Sequence, residues 1–250
     1  LILVDSYKIK SPILNSLNNT IPVAVILDNF KKINVDIIIS VNPTEHRSYR
    51  GKENLLGAKY APVLYNKTNK CYKKNKILIS MGLIDKAEVT LKAIKALKRL
   101  YKKKLIYHNT IITIGKDSPI IRNIEKEIYE YKKYFKLFID EKNISDIYQQ
   151  TLFAVGAPGV SQLERLLFGV PTILVHQNNL HKNIIKDWVE KECAIMASSR
   201  ISSIENKILK IYNGKKIRTK MIKNGKKHVD GLGSKRISRK LTQYLENNGR

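Results

Sequence analysis

The sequence predicts an α/β fold built from parallel β-sheets in two domains. Short apolar runs of strand length alternate with amphipathic segments along nearly the whole chain, which is the pattern of parallel α/β architecture. A polar, lysine-rich stretch at residues 65–75 interrupts this alternation, which resumes at Ile77. The 250 residues, of which 43% are hydrophobic, suffice for one large core or two modest ones. Together these observations favour two domains joined within that polar stretch.

Eight segments are predicted to be strands, each a short apolar run bounded by polar or turn-forming residues. In chain order they are Leu1–Val4, Val23–Leu27, Ile37–Ser40, Lys76–Ser80, Thr110–Ile114, Lys136–Ile139, Phe153–Val155 and Thr172–Val175. Between them lie helix-like segments such as Ala87–Tyr101, in which four apolar residues share one helical face. These four residues are Leu91, Ile94, Leu97 and Leu100.

The domain boundaries are predicted at residues 68–69 and 216–217. Residues 1–68 hold three predicted strands, too few for a complete doubly wound sheet, and the first residue, Leu1, already lies in a strand-like run. We therefore interpret them as the remnant of an amino-terminal domain that is truncated at its amino-terminal side. Residues 69–216 hold five predicted strands and form a complete domain. Residues 217–250 are predicted to be a basic helical tail that returns to the first domain.

The composition limits the classes of protein to which the chain can belong. No apolar run approaches the roughly 20 residues of a membrane helix, so a soluble cytoplasmic protein without a membrane span is expected. Cys71 and Cys193 lack a C-x-x-C partner, which argues against a disulfide framework or a zinc site. The formal charge is +26, but lysines are spread over most of the chain. We interpret them as a solvated surface, with a nucleic-acid or other polyanion partner as the alternative.

The most informative stretch is residues 155–175. It begins VGAPGVSQLE, which places a small-residue turn between a predicted strand and a predicted helix. Unpaired main-chain N–H groups near Gly159, Val160 and Ser161 would point at an anion with the helix dipole behind them, as in a diphosphate site. Glu164 lies one helical turn after Ser161, where a carboxylate can accept hydrogen bonds from both hydroxyls of a ribose. A surface glutamate beside a tight turn is the alternative.

Further motifs follow this stretch and connect it to a known family. Glu164 precedes Gly169-Val170-Pro171 at a strand entry, and Gln177-Asn178-Asn179 lies beyond that strand. In this order the residues resemble the carboxyl-terminal domain of the GT-B nucleotide-sugar enzymes of the MurG type. A narrower similarity is to the UDP-2,4-diacetamido-2,4,6-trideoxy-beta-L-altropyranose hydrolases of pseudaminic acid biosynthesis and their spore-coat polysaccharide relatives. It is carried by Val4–Tyr7, Ile26–Asn29, Val41–Pro43, Leu56–Ala61, Ile79–Gly82 with Asp85, and Val229–Arg236.

The resemblance implies a GT-B-like fold of two Rossmann-like domains and the hydrolysis of a UDP-linked sugar. Water would attack the anomeric carbon and release UDP and the free 2,4-diacetamido sugar, without a metal ion or another cofactor. Tyr7 would stand at the sugar as the catalytic residue, Ile139 at the base and Glu164 at the ribose. The residues that the resemblance assigns to nucleotide or substrate binding are Gly82, Ile139, Gly159, Val160, Ser161, Glu164, Gln177 and Asn178.

The chain departs from this group at three points. Ser6 stands where a histidine is often found, and Leu83 replaces the second glycine of a Met-Gly-Gly turn. The Gly-x-Gly-His motif, which supplies the catalytic histidine of the group, has no match in the sequence. We therefore expect the chain to bind a nucleotide better than it catalyses, and to be inactive without an amino-terminal segment that carries this motif.

Three other functions remain open at this point. A glycosyltransferase of the same architecture would pass the sugar from UDP to an acceptor hydroxyl instead of water, and fold alone does not separate the two. A non-catalytic module would bind the nucleotide sugar or a polyanion without turnover. A nucleotide-sugar epimerase of similar build would need acid and base groups beside the sugar, which the sequence does not identify. The sequence does not fix the oligomeric state, for which a monomer is the expectation.

Overall fold

The computed structural model describes residues 1–6, 8–27, 33–42, 51–63, 72–177 and 179–248. The chain divides into two compact units. Unit 1 comprises Leu1–Leu64 and His228–Arg250, and unit 2 comprises Tyr65–Lys227. Each unit contains its own parallel sheet. The predicted fold class, α/β with two parallel sheets, is therefore confirmed.

The described ranges form ten strands and nine α-helices. The strands are β1 (Ile2–Val4), β2 (Val23–Ile26), β3 (Ile37–Ser40), β4 (Glu53–Leu56), β5 (Lys76–Ser80), β6 (Thr110–Ile114), β7 (Phe135–Ile139), β8 (Thr151–Gly156), β9 (Thr172–Val175) and β10 (Ala194–Ala197). The helices are α1 (Ser11–Asn18), α2 (Val89–Lys102), α3 (Ile121–Ile128), α4 (Ile144–Gln150), α5 (Val160–Leu167), α6 (Asn179–Glu190), α7 (Ile201–Asn213), α8 (Lys215–His228) and α9 (Gly233–Asn248). Within those ranges, no helix combines the length and the apolar character needed to cross a membrane.

Unit 1 is a four-stranded sheet in the order β1-β2-β3-β4 with a helix against each face. Because successive side chains of a strand point to opposite faces, neighbouring residues of β2 join different cores. Val25 packs in a cluster with Leu14 of α1. Ala24 packs in a second cluster with Ile237 and Tyr244 of α9. The carboxyl-terminal helix thus covers a face of the first sheet.

Unit 2 is a six-stranded parallel sheet in the order β10-β9-β8-β5-β6-β7. Its central strands are fully buried, and the helix predicted at Ala87–Tyr101 forms as α2 with its apolar face in the core. The segment predicted as a basic tail, 217–250, holds most of α8 and all of α9. These two helices fall in different units, since α8 groups with unit 2 apart from its last residue.

Two strands lie outside the predicted set. β4 begins with the polar pair Glu53 and Asn54, and β10 has the sequence AIMA, so neither shows a strong β pattern. Each lies at an edge of its sheet and pairs on one side only. Among the described residues, unit 1 therefore has four strands where the sequence predicts three, and unit 2 has six where it predicts five.

A buried carboxylate joins α9 to the first sheet. Asp36, which is 3% exposed, accepts hydrogen bonds from the Tyr244 hydroxyl at 2.7 Å and the Val23 N–H at 3.0 Å, and pairs with the Lys52 ammonium at 2.7 Å. Burial alone would raise the pKa of Asp36, but the bonds from Lys52, Tyr244 and Val23 outweigh it and hold the pKa below its ordinary value. The ionised carboxylate is thus the form that the fold favours.

Replacing Tyr244 by phenylalanine is expected to lower the free energy of unfolding by about 1 to 3 kcal/mol at neutral pH, because a buried charged acceptor loses its donor. Asp36 has a depressed folded pKa, so its contribution is present above the ordinary pKa and is lost as the pH falls through the folded pKa. The deficit of the variant should therefore shrink in acid. Urea unfolding of the wild type and the variant at neutral and at acid pH measures this difference in the free energy of unfolding. The control is Tyr129→Phe, since Tyr129 is 67% exposed; an equal loss in both variants would contradict the expectation.

Candidate functional site

The topology of unit 2 opens a crevice at the carboxyl ends of two central strands. From β5 the chain proceeds to β6 and β7 on one side, and then returns to β8 and β9 on the other. The order reverses between β5 and β8, so the loops that follow these two strands diverge to opposite faces of the sheet. Ligands of open parallel sheets bind at such a switch point. The segments after Ser80 and Gly156 are therefore the first place to seek a site.

The turn after β8 leads directly into α5. Gly156 pairs with Ser80 of β5, and Gly159 is the residue before the helix, with φ −72° and ψ −160°. No side chain caps this helix, and the first N–H groups of a helix have no acceptor within it. Val160, the first helical residue, is 57% exposed. Among the described residues, no acceptor outside the helix is seen for the N–H groups of Val160 and Ser161, so the helix start presents these groups and the positive end of the helix dipole, an arrangement that suits an anion.

A cavity of about 320 Å³ lies beside this helix start. Its walls come from the loop after β5, the end of β6, the segment after β7, and the facing sides of α4 and α5. The lining residues are Ser80, Gly82, Leu83, Thr113, Ile114, Asp140, Glu141, Lys142, Ile144, Tyr148, Ser161 and Glu164. Three of the residues proposed from the sequence, Gly82, Ser161 and Glu164, thus share one cavity.

Glu164 is held in the cavity wall by a tyrosine. The Tyr148 hydroxyl on α4 donates a hydrogen bond to Oε2 of Glu164 at 2.9 Å. Tyr148 is 1% exposed, and this burial, with a further contribution from Glu164, raises its pKa above the ordinary range despite the nearby Arg165. The phenol therefore stays protonated and remains a donor. Since it occupies one carboxylate oxygen, Oε1 of Glu164 is left to accept a bond from a ligand.

Two glycines keep the approach to the cavity open. Gly82 has φ +93°, in the region that residues with a side chain rarely adopt, so a glycine suits this turn. Within the part of the chain that the structure describes, a Cβ built on Gly82 or on Gly159 would meet no atom within 4 Å. Both positions therefore face free space rather than packed protein, which allows a ligand to approach the main chain closely.

The remaining predicted site residues lie elsewhere at this edge or outside the described residues. Ile139 ends β7 with its side chain 43% exposed, next to the cavity residue Asp140 but not in the cavity wall. The Gln177 side chain donates to the Met81 carbonyl at 2.9 Å and to Oδ1 of Asp85 at 3.4 Å, so it ties two loops together. Tyr7 and Asn178 lie outside the described residues.

Sequence analysis did not identify several of the cavity residues. Tyr148 belongs to no motif, and only its place in the helix before β8 brings it to Glu164. Asp140 and Glu141 follow β7, and Asp140 has φ +55°, which is uncommon for a residue with a side chain. Their position directly after a strand was the available signal, because the ends of parallel strands meet at one edge.

Solved structures with a similar fold include a UDP-N-acetylglucosamine 2-epimerase, MurG and MnaA. A UDP-N-acetylglucosamine 2-epimerase structure aligns with a TM-score of 0.63 and 14% identity, over 94% of this chain and 69% of its own. MurG of Acinetobacter baumannii aligns with a TM-score of 0.58 and 9% identity, over 90% and 67%. The UDP complex of MnaA from S. aureus aligns with a TM-score of 0.55 and 17% identity, over 70% and 47%. At such identities the likeness shows the fold, and the predicted GT-B-like fold is confirmed.

Sequence comparison extends the likeness. The chain is 24% identical over 174 residues to the uncharacterized protein MJ1062 of Methanocaldococcus jannaschii, and the alignment covers 62% of this chain and 35% of that relative. The chain thus spans about a third of the length of this curated relative. Residues 65–228, which include the whole cavity wall, match the family model of the glycosyl transferases group 1. Because this match covers more than half of the 250 residues, the chain belongs to the glycosyl transferases group 1 family.

Proposed function

We propose that the chain binds a UDP-linked sugar through unit 2, in the domain predicted at residues 69–216, and acts on the bond between the sugar and UDP. The observation that carries the proposal is the position of Glu164, whose carboxylate lines the same cavity as Ser161 at the start of α5. A carboxylate suits the two hydroxyls of a ribose, and an uncapped helix start suits a diphosphate. The two features lie one helical turn apart.

The charges in the cavity indicate how the nucleotide would lie. Asp140, Glu141 and Glu164 line the cavity together with the single cation Lys142, so its interior disfavours phosphate groups. The nucleoside would therefore occupy the cavity, and the diphosphate would lie outside it at the N–H groups of Val160 and Ser161. A volume of about 320 Å³ is at the small end of ligand pockets, which suits part of a ligand rather than the whole of a nucleotide sugar.

Two chemical outcomes are compatible with this arrangement. Hydrolysis of a UDP-linked deoxy-diacetamido sugar, in pseudaminic-type acid or surface polysaccharide biosynthesis, is the outcome that the narrower resemblance favours. Transfer of the sugar to an acceptor hydroxyl is the outcome that the matched family favours. In both, the bond between the anomeric carbon and the β-phosphate oxygen breaks, and the N–H groups at the start of α5 would stabilise the negative charge that develops on UDP. Tyr7 is the residue proposed to stand at the sugar.

The choice of UDP is supported by a structural relative, since MnaA of S. aureus was solved as a complex with UDP. Calorimetric titration with UDP, CDP and GDP tests this choice, and we expect UDP to bind most tightly. Binding should weaken little with added salt, because main-chain N–H groups and one carboxylate make the contacts, whereas polyanion binding weakens steeply. No detectable UDP binding would overturn the proposal.

Product analysis separates the possible reactions. UDP-sugars incubated with the full chain, with and without an acceptor sugar, would be followed by chromatography coupled to mass spectrometry. Free sugar in the absence of an acceptor would establish hydrolysis, and an acceptor-linked product would establish transfer. A changed UDP-sugar of unaltered mass would instead establish epimerisation. UDP binding without any product is the outcome expected if turnover needs an amino-terminal segment with the Gly-x-Gly-His motif, and it is also the outcome expected of a non-catalytic module.

A further inference from the structure

Arg165 is a fully buried cation directly behind the turn that leads into α5. It is 0% exposed, and its Nη2 donates to the Ala157 carbonyl at 2.5 Å. Its Nε donates to Oε1 of Gln162 at 3.1 Å. A Cβ built on Gly156 would lie 2.8 to 2.9 Å from the guanidinium carbon and its two terminal nitrogens. The guanidinium therefore lies against the main chain of the turn that leads into α5.

The charge of Arg165 is only partly offset, because Glu164 and Tyr148 act on it electrostatically without forming a salt bridge with it. Among the described residues it forms no ion pair with a carboxylate, although arginine is otherwise paired almost wherever it is buried. Its Nη1 has no hydrogen-bond partner, and Nε2 of the neighbouring Gln162 has none either. Burying an unpaired cation costs several kcal/mol. Packing alone would be served better by an apolar side chain of similar size.

The contacts of Arg165 with the turn indicate why a buried charge would be kept at this position. We propose that Arg165 is a positioning residue for the diphosphate, because it fixes the turn through the Ala157 carbonyl and places a buried, only partly compensated positive charge at the turn that leads into α5. A charge in the protein interior acts on a nearby phosphate with little screening by water and salt. The ligand that would compensate it is the phosphate end of a nucleoside diphosphate. This inference rests on the proposed function.

A purely structural role makes a different prediction. If Arg165 only held the turn, its loss would lower the stability of unit 2 and weaken every ligand of the site alike. If it acts on the phosphates as well, its loss should change the selectivity of the site, whatever it costs in stability. Only the ligands that carry phosphate would then bind less well.

The test is a titration of three ligands against three forms of the full chain. Uridine, UMP and UDP would be titrated by calorimetry into the wild type, Arg165→Met and Arg165→Lys. We expect Arg165→Met to keep its affinity for uridine and to bind UDP about tenfold more weakly, because the phosphates lose a nearby buried charge. Lysine should restore part of the UDP affinity because it keeps the charge but not the planar geometry.

A matched arginine provides the control. Arg218 of α8 also donates to main-chain carbonyls, at 2.5 Å to Ile211 and 2.6 Å to Tyr212, and burial lowers its pKa as it lowers the pKa of Arg165. Arg218→Met should leave the ratio of UDP affinity to uridine affinity unchanged. A wild type that does not bind UDP would overturn the proposed function and this inference together. If the wild type binds UDP, but Arg165→Met prefers UDP over uridine by the same factor as the wild type, this inference alone would be overturned.

A second measurement does not depend on the folding of the variant. In wild-type protein labelled with ¹⁵N-arginine, the Nε–H resonance of Arg165 is expected to shift when UDP is added and to stay in place when uridine is added. Arg165→Lys, which lacks the resonance, supplies the assignment. A resonance that is unmoved by saturating UDP would overturn the inference.

Discussion

Replacing Gly233 by alanine is expected to lower the free energy of unfolding of unit 1 by about 3 kcal/mol or more. Gly233 begins α9, and a Cβ at this position would overlap the carbonyl oxygen of Ala61 and contact its carbonyl carbon and nitrogen. These are main-chain atoms, so no side-chain rotation relieves the overlap. The helix would have to move away, which would uncover Ile237 and break the bond between Tyr244 and Asp36.

The sign of this effect is informative. In a helix without such a contact, alanine in place of glycine stabilises by up to about 1 kcal/mol, so a destabilised variant reports the contact itself. Gly225 of α8 is the matched control, because a Cβ there would come too close to the end of the Leu166 side chain, at 2.8 Å, which can move, and would meet the Leu166 main chain at an ordinary 3.7 Å. Gly225→Ala should therefore cost less than Gly233→Ala.

The single tryptophan allows the two units to be followed separately. Trp188, the one tryptophan of the sequence, is buried in α6 of unit 2, so its fluorescence reports the unfolding of that unit. Far-ultraviolet circular dichroism reports the helices of both units. In urea, Gly233→Ala should shift the circular dichroism transition to lower concentration more than it shifts the Trp188 transition. Equal shifts of the two signals would show that the damage is not confined to unit 1.

The sequence predicts the strands of this fold well where apolar runs are long and lie in the middle of a sheet. β5, β6 and β9 have the predicted bounds, because runs such as TIITI at Thr110–Ile114 are buried along their whole length. The edge strands β4 and β10 escape prediction, since pairing on one side needs no strong β pattern. The start of α2 differs by two residues, because Glu88 takes a left-handed conformation with φ 53°, which its residue type does not indicate.

The candidate site is predictable where its chemistry is local. The small-residue turn and the carboxylate one helical turn later lie within ten residues, so Gly159, Ser161 and Glu164 follow from the sequence. Tyr148 does not, because its bond to Glu164 depends on how α4 packs against α5. The burial of Arg165 is equally hidden, since an arginine after a glutamate is typical of a solvent-exposed helix face. Contacts between separate helices and strands are thus the part of the site that the sequence does not predict.

Glu164→Ala is expected to weaken UDP binding by about 1 to 3 kcal/mol, or about 5- to 150-fold, because the ribose hydroxyls lose their acceptor and Tyr148 loses its partner. The ribose assignment makes a sharper prediction about the ligand. Wild-type protein should prefer UDP over 2′-deoxy-UDP, and Glu164→Ala should lose most of that preference. Calorimetric titration of both nucleotides into both proteins measures the coupling between the carboxylate and the hydroxyl directly.

Glu164→Ala also removes a negative charge from the cavity, which by itself changes nucleotide binding. Glu141→Gln is the control for this effect. Glu141 also lines the cavity, but its Oε1 accepts a bond from the Asn143 N–H at 2.7 Å. Its loss should change the affinities for UDP and 2′-deoxy-UDP by the same factor. Tyr148→Phe should give an intermediate result, because it frees the Glu164 carboxylate without removing it. If Glu164→Ala keeps the full preference for the ribose, Glu164 does not bind the sugar of the nucleoside, and the orientation proposed for the nucleotide would have to be reversed or abandoned.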